Sequence, residues 1–301
     1  MINRRDFIGR AALLALSPAL TSISNTMYGA LIAPLGESSD EALCGEKFTL
    51  ALRDGLAKRP IADVIVAIGE SFIGTEYGEH LLDLEGPERL VVNLRALDCV
   101  TFYENTLALS RCVKLGKTTF DDFKSQLQLL RYRGGVIDGY ASRLHYTTDD
   151  WYDDEKRGIL RVVTRELFGE NNVHRIPTPV NFMSRHRSSY RQLSDGKAFD
   201  AIVKTEEALS KRVMYFLPKG NLHLYADRVK SGSIIGVTTN VPGLDVSHTG
   251  IAVRTEHGAL HLLHAPNVGE KVQISKLNLH DYLARNARQT GIIVAEATEP
   301  S

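Results

Sequence analysis

Apolar residues recur at helical spacing in two stretches of the chain between about residues 38 and 70. Arg59-Pro60 lies between them, and because proline disfavours helical backbone at the residue before it, we expect the first helix to end there. A third helical periodicity begins at Cys99 and continues to about residue 115. Asp98, a favourable N-cap residue, stands directly before it, so Cys99 is expected in the first helical turn.

Short β-prone runs are concentrated late in the chain. Residues 232–237 begin the predicted antiparallel sheet, two runs that flank the turn Glu256-His257-Gly258 predict a hairpin, and residues 291–295 predict a last strand. An earlier run at residues 90–92 predicts a strand that leads into Asp98. The fold class is therefore α+β.

More than a hundred residues separate the Cys99 helix from the hairpin, and helical patterns predominate among them. The predicted helices of this interval cover residues 119–131, 154–167, 186–195 and 205–212. We expect an inserted helical cap at about residues 118–227, within a single catalytic domain that spans residues 38–298.

The first residues differ in character from the rest of the chain. Arg4 and Arg5 precede Phe7, and a short apolar stretch follows until Ser17-Pro18 interrupts it. This pattern predicts an export signal over residues 1–24, of the twin-arginine type or an ordinary secretory signal, and a disordered tail is the alternative. The stretch is too short for a membrane span, so we expect a periplasmic or cell-envelope location.

Charge and cysteine content exclude some classes of partner. The 301 residues carry a formal net charge of zero, and because no sustained basic stripe is present, a nucleic-acid partner is not expected. Nothing indicates a cofactor, a bound metal or an obligate protein partner. Three cysteines, Cys44, Cys99 and Cys112, leave at least one free thiol in an oxidising compartment.

Cys99 is the candidate nucleophile. A free thiol has a pKa near 8.5 and is mostly protonated at neutral pH, whereas the N–H groups and dipole of a helix start favour the thiolate. An adjacent imidazolium would lower the pKa of the thiol further. The alternative is a small, buried, unreactive cysteine.

His248 and His264 supply the candidate imidazoles. With a hairpin loop centred near Glu256 they are expected to stand directly opposite each other on one face, with Cβ atoms about 4.5–5.5 Å apart. One ring would then orient the other. His261 is three residues from His264 and faces the opposite side of the strand, which argues against a shared metal. A zinc amidase that uses both histidines with a carboxylate such as Asp245 is nevertheless kept as an alternative.

The order of cysteine at a helix start and histidines on later strands resembles the papain-like cell-wall hydrolases of the NlpC type. Several motifs resemble one branch more closely, the N-acetylmuramoyl-L-alanine amidase-like family. The motifs are FIGTEY at 72–77, LVVNLRALDCVTF at 90–102, GYASRLHY at 139–146, NFMS at 181–184, DVSHTGIA at 245–252 and LHA at 263–265. Together they span nearly the whole chain after the predicted signal.

The resemblance implies a papain-like NlpC-type core, in which the active-site helix packs on an antiparallel sheet. It also implies that Cys99 is the nucleophile, that His248 is the general base and later the acid, and that His264 orients His248. Tyr77 and Asp98 match a pocket-wall tyrosine and an acidic neighbour of the nucleophile. The chain departs from the family at Gly232-Ser233, where Gly-Asp is frequent, and this concerns entry to the strand more than chemistry.

The substrate implied by the resemblance is peptidoglycan or a muropeptide, cut at the lactyl-L-alanine bond or inside the stem peptide. Arg143 offers a planar fork for a substrate carboxylate, although a structural ion pair is an equal alternative. The predicted substrate-binding residues are Tyr77, Asp98, Tyr140, Ser142, Arg143 and Ser247. A non-catalytic wall-binding protein of the same fold is the rival hypothesis.

Overall fold

The computed structural model describes residues 37–301, so the predicted export signal lies outside the described residues. The α-helices of this part are α1 (Glu37–Arg53), α2 (Ile61–Glu70), α3 (Cys99–Leu115), α4 (Phe120–Arg131), α5 (Thr147–Lys156), α6 (Thr164–Phe168), α7 (Phe182–Arg185), α8 (Gly196–Ser210), α9 (Leu222–Tyr225) and α10 (Leu279–Ala284). The strands are β1 (Glu76–Tyr77), β2 (Ala96–Leu97), β3 (Leu160–Val162), β4 (His174–Arg175), β5 (Tyr215–Pro218), β6 (Ile234–Thr239), β7 (Val246–Arg254), β8 (Leu260–His264), β9 (Gln273–Ile274) and β10 (Gln289–Ala297).

The main sheet is antiparallel in every pairing, with the strand order β4-β5-β10-β6-β7-β8-β9. Strand β3 also pairs with the carboxyl-terminal end of β10. The two-residue strands β1 and β2 form a separate parallel pair. The late strands and the hairpin predicted from the sequence are thus the centre of the sheet, and the mixed α+β class is confirmed.

Helix α3 begins where the sequence predicts because Asp98 caps it. The Asp98 carboxylate accepts hydrogen bonds from the N–H groups of Val100 and Thr101, and the Thr101 hydroxyl accepts one from the Asp98 N–H. This capping box satisfies N–H groups that a helix start otherwise leaves unpaired. The helix ends at Gly116, whose φ of 67° is the left-handed conformation that glycine adopts at little cost.

Both faces of the sheet are covered. Along β7, Ile251 and Val253 belong to the core that also contains α2 and α3, whereas Ala252 belongs to a second core with Leu279 and Leu283 of α10. This alternation is the two-residue period of a strand buried on both sides. Strand β7 therefore touches the helix layer with one set of side chains and α10 with the other.

The interval from 118 to 227 is not purely helical. It contributes α4 to α9 but also β3, β4 and β5, which join the main sheet. These strands have two to four residues, too few for a two-residue alternation to stand out from the neighbouring helical patterns. Conversely, residues 90–92, which were predicted to form a strand, have no regular structure. The strand that leads into Asp98 is instead the two-residue β2.

Part of this interval has its own apolar core, which meets the loop before β7. Its buried members include Tyr140, Tyr146, Phe182, Met183, Tyr190 and Ile202, and they pack with Val241 and Leu244.

In the described part of the chain, no helix combines the length and hydrophobicity needed to cross a bilayer.

The closest backbone approach in the sheet gives a test of its packing. A Cβ at Gly291 in β10 would lie 2.0 Å from the carbonyl oxygen of Leu217 in β5. We expect Gly291→Ala to lower the free energy of unfolding by about 1–3 kcal/mol or more, because the two strands must separate. Urea unfolding followed by circular dichroism measures the change.

Gly45→Ala is the matched control. Gly45 lies in α1 with no atom within 4 Å of an added Cβ, so the same methyl group should raise stability by up to about 1 kcal/mol through helix propensity. Equal midpoints for wild type and Gly291→Ala would contradict the tight β5–β10 approach.

Candidate active site

The candidate nucleophile is the first residue of α3. Cys99 follows the N-cap Asp98, is partly exposed and lines a cavity of about 130 Å³. Its position places it among the backbone N–H groups and at the positive end of the helix dipole, which favour a thiolate. Two of those N–H groups, of Val100 and Thr101, already donate to Asp98 at 3.0 and 2.8 Å.

A partly buried hydrogen bond joins this helix start to the central hairpin. The Thr249 hydroxyl of β7 donates to the carbonyl oxygen of Cys99 at 2.7 Å. His248 precedes Thr249 in β7 and lines the same cavity as Cys99. The contact therefore fixes the strand that carries the candidate base against the residue that carries the candidate nucleophile.

The two histidines contact each other directly. His248 Nε2 lies 2.7 Å from His264 Nδ1, and the rings are nearly perpendicular, with centroids 4.9 Å apart. His248 borders the cavity, whereas His264 lies behind it and is not among the lining residues. This geometry allows His264 to orient the ring of His248.

The strand register differs from the expected one. Ile251 stands opposite Leu263, so continuing the register places Gly250, rather than His248, opposite His264. The hairpin turn is centred one residue later than expected, with the Gly258 N–H donating to the Thr255 carbonyl. The histidines are thus diagonal neighbours on one face. The prediction that they stand directly opposite each other was wrong by two residues.

Burial keeps both imidazoles neutral at pH 7. It lowers the pKa of His248 to about 4, with partial opposition from the Asp98 carboxylate, and it lowers the pKa of His264, which the neighbouring His248 lowers further. The resting pair therefore does not supply the imidazolium that we expected to lower the thiol pKa. His248 is instead in the form that accepts a proton.

The cavity collects most of the predicted substrate-binding residues. Tyr77, Tyr140, Arg143 and Ser247 line it together with Cys99 and His248. Asp98 is fully buried as the helix cap and is not among the lining residues. Ser142 also lies outside the lining, where its hydroxyl accepts from the Asp138 N–H and donates to the Gly139 carbonyl.

Arg143 is already paired with two carboxylates. Its guanidinium lies 3.0 Å from Asp83 and 3.2 Å from Glu88, and 5.1 Å from the centre of the Tyr140 ring. Only 5% of the residue is exposed. The geometry favours the structural ion pair over a free anchor for a substrate carboxylate.

Several cavity-lining residues had not been assigned to the site from the sequence, and three of them matter for its chemistry: Tyr103, Asp150 and Tyr282. The Tyr282 ring centre is 5.3 Å from that of His264, and burial together with nearby Cys99 raises the pKa of its hydroxyl. No signal in the sequence linked these residues to the site. Tyr103 was part of a helical periodicity, and Asp150 lies in an acidic run typical of a solvated helix. Tyr282 belongs to a six-residue helix without a motif.

The other two cysteines are poor nucleophiles. Cys44 and Cys112 are free but buried, and burial raises the pKa of each to about 12. They remain protonated thiols at neutral pH. Cys99 is the one cysteine of the chain that is partly exposed.

The arrangement of ligands does not resemble a zinc site. Within residues 37–301, no group of three or more histidine, cysteine, aspartate or glutamate side chains is arranged to hold a metal ion. Asp245, the carboxylate considered for such a site, accepts hydrogen bonds from the N–H and hydroxyl of Thr148 at 2.8 and 2.9 Å.

The family model of N-acetylmuramoyl-L-alanine amidase-like proteins matches residues 67–292, which include the helix start and both histidines. The chain belongs to the N-acetylmuramoyl-L-alanine amidase-like family. No curated protein matches the sequence.

Solved structures similar to this chain include one that carries the family's name. An N-acetylmuramoyl-L-alanine amidase from Bacteroides uniformis ATCC 8492 is 36% identical over 79% of this chain and 99% of its own, with a TM-score of 0.73. A provisionally named xylanase from Bacteroides fragilis is also 36% identical, over 77% of this chain and 99% of its own, with a TM-score of 0.71. A Legionella pneumophila protein of the DUF1460 family, 20% identical over 87% of this chain and 97% of its own with a TM-score of 0.62, shares the fold.

The neutral histidine pair predicts an acid-labile fold. The unfolded chain protonates His248 near its ordinary pKa of 6.5, whereas the folded chain protonates it only at about 4, so stability falls as the pH drops through this window. The residue should account for a loss of about 3 kcal/mol between pH 7 and 4. His248→Gln should therefore show a shallower decline in unfolding free energy, measured by urea titration at each pH.

His257→Gln provides the control, because His257 is an exposed histidine in the hairpin turn. The unfolding free energy of this variant should follow the same pH dependence as that of the wild type. Parallel curves for wild type and His248→Gln would show that His248 is not buried in its neutral form.

Proposed function

We propose that this member of the amidase-like family is a peptidoglycan hydrolase that cleaves an amide bond of the stem peptide by a Cys-His-His mechanism. The proposal depends mainly on one observation: Cys99 at a capped helix start and His248, backed by His264, line the same cavity. Family membership and the Bacteroides uniformis neighbour support this substrate class.

Proton transfer from the thiol begins the reaction. When His248 Nε2 carries the proton and donates it to His264 Nδ1, the lone pair of His248 Nδ1 is left for the Cys99 thiol. His248 takes the thiol proton as Cys99 Sγ bonds to the amide carbon. The Asp98 carboxylate, which favours the charged form of His248, stabilises the imidazolium that results.

The developing oxyanion needs hydrogen-bond donors near Cys99. The N–H groups of Val100 and Thr101 are engaged by Asp98, so the helix start offers fewer donors than an uncapped helix would. Tyr282 supplies a further donor: its hydroxyl stays protonated because burial raises its pKa, and it interacts with both Cys99 and Gln289.

The tetrahedral intermediate then breaks down in the usual order of acyl transfer. His248 gives its proton to the leaving amine as the carbon–nitrogen bond breaks, and a thioester remains on Cys99. Water, deprotonated by His248, hydrolyses the thioester and restores the thiol. Both the lactyl-L-alanine bond and an amide within the stem peptide suit this chemistry, and the masses of the muropeptide fragments distinguish them.

The same proposal covers the core and the location. Helix α3 packs on the antiparallel sheet through β7, as a papain-like NlpC-type core requires, and residues 38–298 form one catalytic domain with an insertion at about 118–227. The substrate lies outside the cytoplasm, so we also propose export to the periplasm or cell envelope by the predicted N-terminal signal.

Removal of the nucleophile gives the first test. Cys99→Ala should abolish release of muropeptide fragments, measured by mass spectrometry, because no other group in the cavity has been assigned to attack the amide. Thiol alkylation of the wild type should have the same effect, whereas a metal chelator should have none.

Cys112→Ala is the matched control, because it removes a thiol from the same helix away from the cavity and should leave turnover largely intact. Full activity of Cys99→Ala would exclude the thiol mechanism. Binding of muropeptides without turnover by the wild type would indicate a wall-binding protein, and loss of activity with the chelator would indicate a metalloenzyme.

The Tyr282 assignment predicts a selective defect. Tyr282→Phe should lower kcat by roughly 100-fold while KM changes little, because the lost hydroxyl acts on the transition state rather than on the bound substrate. Steady-state kinetics on a defined muropeptide measures both constants.

Tyr225→Phe serves as the control, since Tyr225 packs against Phe168 and is not among the cavity-lining residues. A rise in KM with unchanged kcat in Tyr282→Phe would assign the hydroxyl to substrate binding instead.

A further inference from the structure

Asp150 of α5 is a buried carboxyl group in the wall of the cavity. It lines the cavity with Cys99, and only 4% of the residue is exposed. The mechanism proposed above gives it no role. A buried carboxylate without a counter-charge is costly, so its presence at a ligand cavity requires an explanation.

The other aspartates of α5 have arginine partners. Asp149 pairs with Arg133 and Arg212, and Asp153 and Asp154 pair with Arg157. Asp150 has no ion pair with an arginine or lysine in the described part of the chain. Its Oδ2 accepts a hydrogen bond from the Tyr103 hydroxyl, and its Oδ1 has no hydrogen-bond partner among residues 37–301.

The cations that line the cavity are already neutralised. Arg131 is 2.8 Å from Glu104, and Arg143 pairs with Asp83 and Glu88. Their charges therefore do not balance that of Asp150.

The protonation of Asp150 follows from these surroundings. Burial raises its pKa, as do Asp154 and Asp153 on its own helix, while Arg157 opposes the shift. The neutral form is therefore favoured without a ligand, and the arrival of a cation would favour ionisation.

Asp150 also lies close to the reacting atoms. Its hydrogen-bond donor, Tyr103, is four residues after Cys99 on α3, about 6 Å further along the helix axis and on the same face. A group bound at Asp150 is therefore only one or two residues away from an amide held at Cys99.

We propose that Asp150 binds a primary ammonium group of the substrate, one or two residues from the amide bond that Cys99 attacks; this inference rests on the proposed function. An ammonium group is compact and carries three donors, so it suits the unpartnered oxygen. Binding forms a carboxylate–ammonium pair and transfers the Asp150 proton to solvent. The ammonium is either the free α-amino group of a peptide or the side-chain amine of a diamino acid.

Calorimetry with the inactive Cys99→Ala variant separates binding from turnover. The probes are the tripeptide L-Ala-γ-D-Glu-L-Lys and its two singly acetylated forms, one at the α-amino group and one at the lysine side chain. We expect acetylation of one amine to weaken binding at least tenfold, and that amine identifies the source. Titration in buffers of different ionisation enthalpy should show proton release with the free tripeptide.

Asp150→Asn in the same background should weaken binding of the free tripeptide at least tenfold. It should add no further loss for the acetylated form, because the two changes remove the same interaction. The asparagine still accepts the Tyr103 hydrogen bond, and thermal melting checks that the variant is folded. Glu155→Gln, an exposed position on the same helix that is not among the lining residues, should bind like the parent.

Several results would overturn the inference. These are equal binding by Asp150→Asn and its parent, a loss that is the same for free and acetylated peptides, and no binding of any tripeptide. Undiminished binding by Asp150→Asn would mean that a neutral donor suffices, as for a substrate carbonyl. Amine-dependent binding without turnover by the wild type would instead retain this site and reject the hydrolase proposal.

Discussion

The candidate site depends on two contacts that fix the start of α3. The Asp98 capping box sets the residue at which α3 begins, and the Thr249 hydroxyl holds the Cys99 carbonyl at 2.7 Å across 150 positions of sequence. Successive residues of a helix are rotated by about 100°, so a start displaced by one residue would turn Cys99 away from the cavity. The cap and the bond to β7 thus define where the thiol stands relative to His248.

The same cap connects the electrostatics of the site to its geometry. Two imidazoles are buried as a neutral pair, and the hydrogen bond between them satisfies one nitrogen of each. Burial disfavours the charged form of His248, whereas the carboxylate of Asp98 favours it. The resting imidazole is therefore neutral, and in the proposed mechanism charge develops on it only when it takes a proton. Asp98 is fully buried as the cap of the helix, and in the proposed mechanism its carboxylate also offsets part of the cost of the imidazolium.

Local patterns in the sequence were sufficient for the elements that carry the chemistry. The cap at Asp98 predicted the start of α3, the helical pattern over residues 119–131 predicted α4, and the glycine-containing turn predicted the hairpin. Register was not predictable, because a turn centred one residue later shifts the pairing of His264 by two residues. The strands β3 to β5 are too short to show a period. Asp150 and Tyr282 reach the cavity only through tertiary packing, so no spacing in the sequence links them to Cys99.

Within residues 118–227, helix α5 packs on the same sheet as the hairpin. Trp151, next to Asp150 in α5, is fully buried, and a Cβ at Gly236 of β6 would lie 3.3 Å from its ring and 2.7 Å from Ile293. Glycine at this position therefore lets α5 pack closely on the sheet that carries the histidines. A wall held in this way cannot shift without disturbing β6 and its neighbour β7. The residues proposed to bind the substrate and those proposed to cut it are consequently held by one packed core, and α5 is a wall fixed to the sheet.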